Sequence, residues 1–206
     1  MDGDPSSARP TEEDTPAALR AFVPIIRGCS NFCSYCIVPD VRGPEASRSA
    51  SEVIAEVESL VRRGAREVTL LGQNVLAYGR DLAEDCGFAD LLFRLDGLDD
   101  LWRIRFMTCH PRDVDAKLVS AMAGCAKVCE HIHLPIQAGT DRLLAEMNRG
   151  YTVEHYLRIV GELKSRVSGL AVTTDMLVGY PGETEEEFET SLELYERIRF
   201  DAAFMF

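Results

Sequence analysis

The sequence predicts an α/β fold built on a parallel sheet. Three observations carry that prediction: six short β-branched or apolar runs, helical patterns with start signals between them, and small or amide residues directly after the runs. The runs lie at residues 22–26, 67–71, 103–108, 131–136, 171–178 and 201–206. Their spacing is irregular, so the topology repeats while the sequence does not. Between the first two runs, Ser49 and Glu52 fit a capping box ahead of Val53, Ile54, Val57, Leu60 and Val61 on one helical face, with Gly64 as the stop. Thr152 is placed to cap a helix carrying Tyr156, Leu157, Val160, Leu163 and Val167. Thr184 and Glu187 form a second box leading into Phe188, Leu192 and Tyr195.

Right-handed crossovers place the C-terminal ends of parallel strands on one edge, where ligands of such folds bind. The segments expected at that edge are Gly28-Cys29, Gly72-Gln73-Asn74, Cys109-His110-Pro111, Gln137-Ala138-Gly139 and Gly179-Tyr180-Pro181-Gly182-Glu183. Glycine and proline turn a chain in any loop. Five such loops on one edge favour a shared site.

Composition narrows the class. Of the 206 residues, 46% are apolar, and 34 Asp and Glu against 22 Lys and Arg give a net charge of −12. This is the balance of a globular domain. No apolar run approaches the roughly 20 residues that span a bilayer, and the first twenty lack a signal-peptide core. A membrane or secreted protein is disfavoured, and a cytoplasmic one expected. The acidic balance argues against strong nucleic-acid binding by this stretch alone. Residues 1–20 are expected to be a disordered leader or linker, and residues 21–206 a single domain.

Seven cysteines are present, three of them within eight residues: Cys29, Cys33 and Cys36. In a reducing compartment such clustering points to metal or redox chemistry rather than disulfides. Thiolates suit zinc or an iron–sulfur cluster. A structural zinc site closes with four protein ligands, and no fourth ligand stands at the usual spacing. Three thiolates on a cubane leave one iron open for a small molecule. A non-catalytic zinc module remains the alternative from a different class. Cys86, Cys109, Cys125 and Cys129 read as ordinary small residues, although Cys125 and Cys129, four apart, suit one helix face. His131 and His133 alternate along a strand and share a face.

Cys29-x3-Cys33-x-Tyr35-Cys36 resembles the signature of radical S-adenosylmethionine (SAM) enzymes. Longer stretches resemble the methylthiotransferases among them, and the MiaB-type tRNA branch more than the ribosomal-protein or threonylcarbamoyl-adenosine branches. They are Cys36-Ile37-Val38-Pro39 with Val41-Arg42-Gly43, Glu67 to Val75 with Ala77-Tyr78-Gly79, Arg103-Ile104-Arg105-Phe106 with His110-Pro111, His131 to Gln137, Met147 to Thr152, and Val178 to Thr184. The resemblance runs from Phe22 to the last residue.

That resemblance implies a partial (βα)6 barrel of the radical SAM type, here reaching only its sixth strand. It implies a 4Fe–4S cluster on Cys29, Cys33 and Cys36 whose open iron chelates SAM. An electron from that cluster would release methionine and a 5′-deoxyadenosyl radical. The reaction implied is methylthiolation of C2 of N6-isopentenyladenosine beside a tRNA anticodon, with SAM as both radical source and methyl donor. The alternatives within the family act on threonylcarbamoyl-adenosine or a ribosomal protein. A flavodoxin-type electron donor is the further partner implied.

The same resemblance places Tyr35 near the SAM adenine and Gly72, Gln73 and Asn74 at its methionine end. Gln137 and Asp175 are expected to bond the ribose or substrate, and Arg149 to pair with the SAM carboxylate. No catalytic residue is expected beyond the cluster ligands. Asp40 departs from the family pattern, which has an aromatic there. Relatives also carry an N-terminal domain with an auxiliary cluster and a C-terminal RNA-binding domain. A fragment confined to the radical core is therefore expected, with the second cluster belonging to the full-length enzyme.

Overall fold

Alternation along the strands decides which way the sheet faces. The structure, a computed structural model, describes residues 16–206. In order these form β1 (Arg20–Pro24), β2 (Ile26–Arg27), α1 (Val38–Arg42), β3 (Ala46–Ser47), α2 (Ala50–Arg62) and β4 (Glu67–Leu71). There follow α3 (Phe88–Asp96), β5 (Arg103–Phe106), α4 (Ala116–Gly124), β6 (His131–His133), α5 (Asp141–Glu146) and α6 (Val153–Arg166). The last elements are β7 (Ala171–Met176), α7 (Glu185–Ile198) and β8 (Ala202–Met205).

Six of these strands run parallel, in the orders β1-β4-β5 and β6-β7-β8. A parallel bridge from Ile104 to Val128 joins the two triplets into one curved wall. The α/β class and the partial barrel thus stand as expected. Val68, Leu70, Ile104, Phe106, Ile132, Leu134 and Val172 are buried in a single core with Val53 and Val57 of α2, Leu91, Leu92 and Leu95 of α3, and Tyr156 and Leu163 of α6. The opposite face is polar. Glu67 meets Arg105 at 3.2 Å, and the Thr173 hydroxyl lies 3.1 Å from His131 and 3.0 Å from His133. The period of two along each strand sorts these two faces.

The helix starts follow the sequence closely. Ser49 and Glu52 close their capping box at the head of α2, and Thr184 and Glu187 close theirs at the head of α7. Thr152 caps α6 through the His155 amide. Strand ends are where the structure departs. The third run leaves the sheet after Phe106 and the fourth after His133, each shorter than its apolar pattern. Left-handed Thr108 turns the chain out after β5; after β6, Pro135 has no N–H to offer the ladder, and left-handed Gln137 rejoins β7 only through an isolated bridge to Met176. Helices α3, α4 and α5 and the antiparallel β2–β3 pair are additions to the sequence reading. A two-residue strand carries no periodicity to read.

Of the expected leader, residues 1–15 lie outside the described ones. Ala17 and Leu19 already belong to the fold: the Ala17 amide donates to Arg63, and the Leu19 carbonyl accepts from Arg66 and Glu67. Cys125 follows the end of α4 and Cys129 precedes β6, so no helix face holds both. Among the described residues, no helix is long and apolar enough to cross a membrane.

Candidate functional site

The chain leaves β2 through Gly28, and the geometry there is tight. Its φ is +76°, and a Cβ at this position would sit 2.0 Å from the Pro44 carbonyl oxygen. Only glycine suits both the left-handed backbone and the close approach. Its amide donates to Gln73 Oε1 at 2.6 Å, so the side chain after β4 ties down the start of the cysteine loop. Gly72 packs equally closely, since a Cβ there would meet Ile26 Cγ2 at 2.4 Å.

Each later strand sends a contact to the same loop. After β5, Arg112 Nη2 donates to Asn31 Oδ1 at 2.5 Å. After α5, Asn148 Nδ2 donates to the carbonyls of Asn31 and Phe32, and the Met147 carbonyl accepts from the Ser34 amide. After β7, the Tyr180 hydroxyl lies 2.9 Å from Ser34 Oγ. Three of the loops expected at this edge thus reach the cysteine loop, and the fourth strap comes from the segment after α5 rather than from Gln137-Ala138-Gly139, which bonds to Asp175 and Ser191. Phe32, left-handed at φ 49°, turns the chain inside the loop.

Cys29, Cys33 and Cys36 are half-buried thiols, none in a disulfide. Burial raises Cys29 above the ordinary thiol value; its own loop pulls it down through the Asn31 backbone, and Glu45, Cys33 and Cys36 push it up. Among the described residues, no three Cys, His, Asp or Glu side chains are arranged to hold a metal ion on one centre. A cubane places each thiolate on a separate iron and leaves the fourth iron open.

Arg149 is the side chain that links the loop to the barrel, and it is only 4% exposed. Its Nη1 donates to Cys33 Sγ at 3.4 Å and to the Tyr35 hydroxyl at 3.3 Å. Its Nη2 donates to the Pro135 carbonyl at 2.8 Å and its Nε to the Tyr151 hydroxyl at 3.1 Å. Burial works against the charge, but Tyr151, Tyr35 and Cys33 hold the guanidinium ionised. Tyr35 stays a phenol because burial pushes it up more than Arg149 pulls it down. The structure thus brings Cys33, Tyr35 and Arg149 into direct contact.

The other expected residues fall into two groups. Gln137 and Asp175 meet at 3.4 Å, and His133 Nε2 adds a contact to Asp175 at 3.3 Å. Asn74 is buried, with Nδ2 donating to Asp113 Oδ2 at 2.6 Å and its Oδ1 left without a partner. Arg80 also holds Asp113, at 2.8 Å. A cavity of 560 Å³ lined by Tyr78, Glu84, Asp90, Asp113 and Lys117 opens beside this pair and contains none of the three cysteines.

Sequence reasoning assigned no role to Asn31, Arg112, Asn148, Tyr151 or His110. Their sequence signal was their position beside motif residues; the contacts that matter span 81 to 117 positions. His110 is buried between these groups, its Nδ1 accepting from the Arg112 amide and its Nε2 unpartnered. Burial, then the Arg149 charge, holds its pKa well below the ordinary histidine value. Such a group stays neutral when folded and takes up a proton only when unfolded. Its contribution is complete above about pH 6.5 and is lost as pH falls toward the folded value. Urea unfolding from pH 7 to 4.5 is expected to show the parent losing up to about 1.4 kcal/mol per pH unit more than His110→Gln. Parallel curves for the two proteins would exclude a buried neutral His110.

The remaining thiols are chemically quiet. Burial raises Cys109, Cys125 and Cys129, with Asp113 and Asp96 adding to the first two. None is poised as a nucleophile.

Comparison with known proteins places this arrangement. The chain is 55% identical over 188 residues to a tRNA-2-methylthio-N(6)-dimethylallyladenosine synthase of Thermoanaerobacter sp. (strain X514), covering 91% of this chain and 40% of that protein. It is 52% identical over 201 residues to the protein of the same name from Moorella thermoacetica, covering 96% and 45%. The chain thus spans about two fifths of the curated relatives it matches. Among solved structures, the radical S-adenosylmethionine methyltransferase TsrM from Kitasatospora setae superposes with TM-score 0.73 at 21% identity, covering 90% of this chain and 33% of that one. Coproporphyrinogen III oxidase (HemN) from Escherichia coli gives TM-score 0.60 at 14% identity, covering 94% and 44%. These likenesses show the fold. The family profile described as "Radical SAM superfamily" matches residues 23–195, from within β1 to within α7. With that match across most of its length, this chain belongs to the radical SAM superfamily.

Proposed function

We propose that this chain is the SAM-cleaving core of a tRNA methylthiotransferase that modifies C2 of N6-isopentenyladenosine. The observation that carries the reading is the loop of three free thiols, held by side chains from four other loops at the C-terminal edge of a parallel barrel. Identity of 50–55% to proteins named for that product supports the substrate class.

In this reading Cys29, Cys33 and Cys36 hold a 4Fe–4S cluster, and the donor set fits: three half-buried thiols on one strapped loop, with a buried cation against one of them. When bound, the cluster supplies the electron that cleaves the sulfonium of SAM. The chain's own residues bind and shield. Gly72 lets the backbone approach closely, and Asn74 Oδ1, buried and unpartnered, is an acceptor free for the SAM amine. Tyr35 offers an aromatic face beside Cys36. Gln137 and Asp175, already paired, are placed for a ribose or base edge. Residues 21–206 form the radical core, tRNA is the partner of the longer protein, a flavodoxin-type protein donates electrons, and the setting is the cytoplasm. An auxiliary cluster belongs to the parts of the relatives that this chain does not span.

Anaerobic reconstitution with iron and sulfide tests the reading. The expected result is a brown protein with four irons per chain that converts SAM to 5′-deoxyadenosine under dithionite. A colourless protein holding stoichiometric zinc would overturn it. The substrate assignment is tested in the longer protein, where isopentenylated tRNA should gain a 2-methylthio group and threonylcarbamoylated tRNA should not.

A further inference from the structure

A guanidinium buried to this depth needs a counter-charge, and among the described residues no carboxylate forms an ion pair with Arg149. Its partners are the Tyr151 and Tyr35 hydroxyls, the Pro135 carbonyl and Cys33 Sγ. Asp113, which also acts on His110, is committed to Arg80 and Asn74. Two guanidiniums reach the cysteine loop: Arg112 stops at the Asn31 side chain, and Arg149 touches a cysteine sulfur. Leaving a buried charge uncompensated costs several kcal/mol. Such a residue is retained when its partner arrives with a ligand.

Geometry says which ligand atom that partner is. A guanidinium has five N–H donors. Four are in use, on Tyr151, Tyr35, Cys33 and Pro135. One remains on Nη2, too few for a two-pronged grip on a carboxylate. The contact already made is to sulfur. We propose that Arg149 sets the reduction potential of the cluster through an N–H···S bond to the Cys33 thiolate, an inference that rests on the cluster reading above.

Reduction adds one electron, and so one negative charge, to the cluster. No bond forms or breaks, and Arg149 keeps its proton. A hydrogen bond to a ligand sulfur and a nearby cation favour the more negative state, so both raise the potential. Burial strengthens the effect because the charge is poorly screened. The cation lies with its central carbon 5.4 Å from the Tyr151 ring centroid, which fixes its distance from the sulfur. Arg149 is thus a positioning and tuning residue. It makes the cluster reducible by a modest donor, and the orientation is locked by Tyr151 and Pro135.

The test is a redox titration of the reconstituted full chain without SAM, followed by electron paramagnetic resonance. Arg149→Gln is expected to lower the reduced-to-oxidised ratio at a fixed potential about tenfold, a shift of 59 mV to the negative for one electron. Arg149→Lys keeps the charge without the planar fork and should fall between. If Arg149→Gln does not load iron, Tyr151→Phe loosens the same guanidinium and should shift the potential smaller but in the same direction. Full iron loading with an unmoved midpoint in the informative variant would overturn the inference, and weaker SAM binding with that midpoint unmoved would assign Arg149 to SAM instead. A parent chain that takes up no iron would defeat the cluster reading itself, a result distinct from an unmoved midpoint.

Discussion

Replacing Cys36 with alanine is expected to abolish cluster assembly while leaving the fold intact. Cys36 is half-buried, lies outside the core, and engages the loop through its backbone: its amide donates to the Cys33 carbonyl at 2.9 Å. An alanine keeps that bond and removes only sulfur. Even a partner that merely orients a metal ligand is worth 10–100-fold in affinity, so loss of a ligand should cut iron loading and 5′-deoxyadenosine formation by about 100-fold or more. Melting of the metal-free proteins should differ by no more than about 0.5 kcal/mol, the usual range for a surface change. Full iron content and an unchanged visible spectrum in Cys36→Ala would remove it from the ligand set. Cys125→Ala serves as the contrast, since that thiol sits buried below α4, remote in sequence from the loop.

Gly28→Ala is expected to be the most damaging single-methyl change in the loop. An alanine forced into the left-handed region costs roughly 1–2 kcal/mol, and here its Cβ would also press on backbone at 2.0 Å, with the Gly43 carbonyl oxygen at 2.6 Å. Backbone cannot swing away as a side chain can. A total of about 3 kcal/mol or more follows, equivalent to roughly 6–12 °C in Tm for a chain of this size. Relief requires moving the Cys29–Gly43 and Gly28–Gln73 hydrogen bonds, so cluster loading should fall even where the variant remains folded. Gly169→Ala separates strain from crowding. That glycine also has positive φ, at +72°, but a Cβ there meets nothing within 4 Å. It should lose only the conformational part and keep normal iron uptake. Equal losses at the two sites would mean that the Pro44 contact carries no weight.

Legibility followed the range of the interactions involved. Capping boxes at Ser49 and Thr184 span three residues, and both were readable in full. The strand cores were readable because a period of two needs only a few neighbours. Strand ends were not, because Thr108 and Gln137 adopt left-handed backbone at the command of the edge loops. Helix α5 escaped because six residues show less than two turns of pattern. At the site, the cysteine triplet is a local motif and stood out at once. Arg149 was expected near it, but its own protein partners, a thiol, two phenols and a carbonyl, were not legible, because three of the four lie on other segments of the chain.

By itself the sequence determined the alternation of strands and helices, their caps, the family resemblance and the cysteine triplet. All of these are written in neighbours a few positions apart, where steric periodicity and side-chain chemistry act directly. Only the tertiary structure decided that Gln73, Arg112, Asn148 and Tyr180 strap one loop, that His110 is neutral, and that Arg149 is a buried cation against Cys33. Those outcomes depend on desolvation and on contacts across tens of residues. Neither exists until the barrel closes around them.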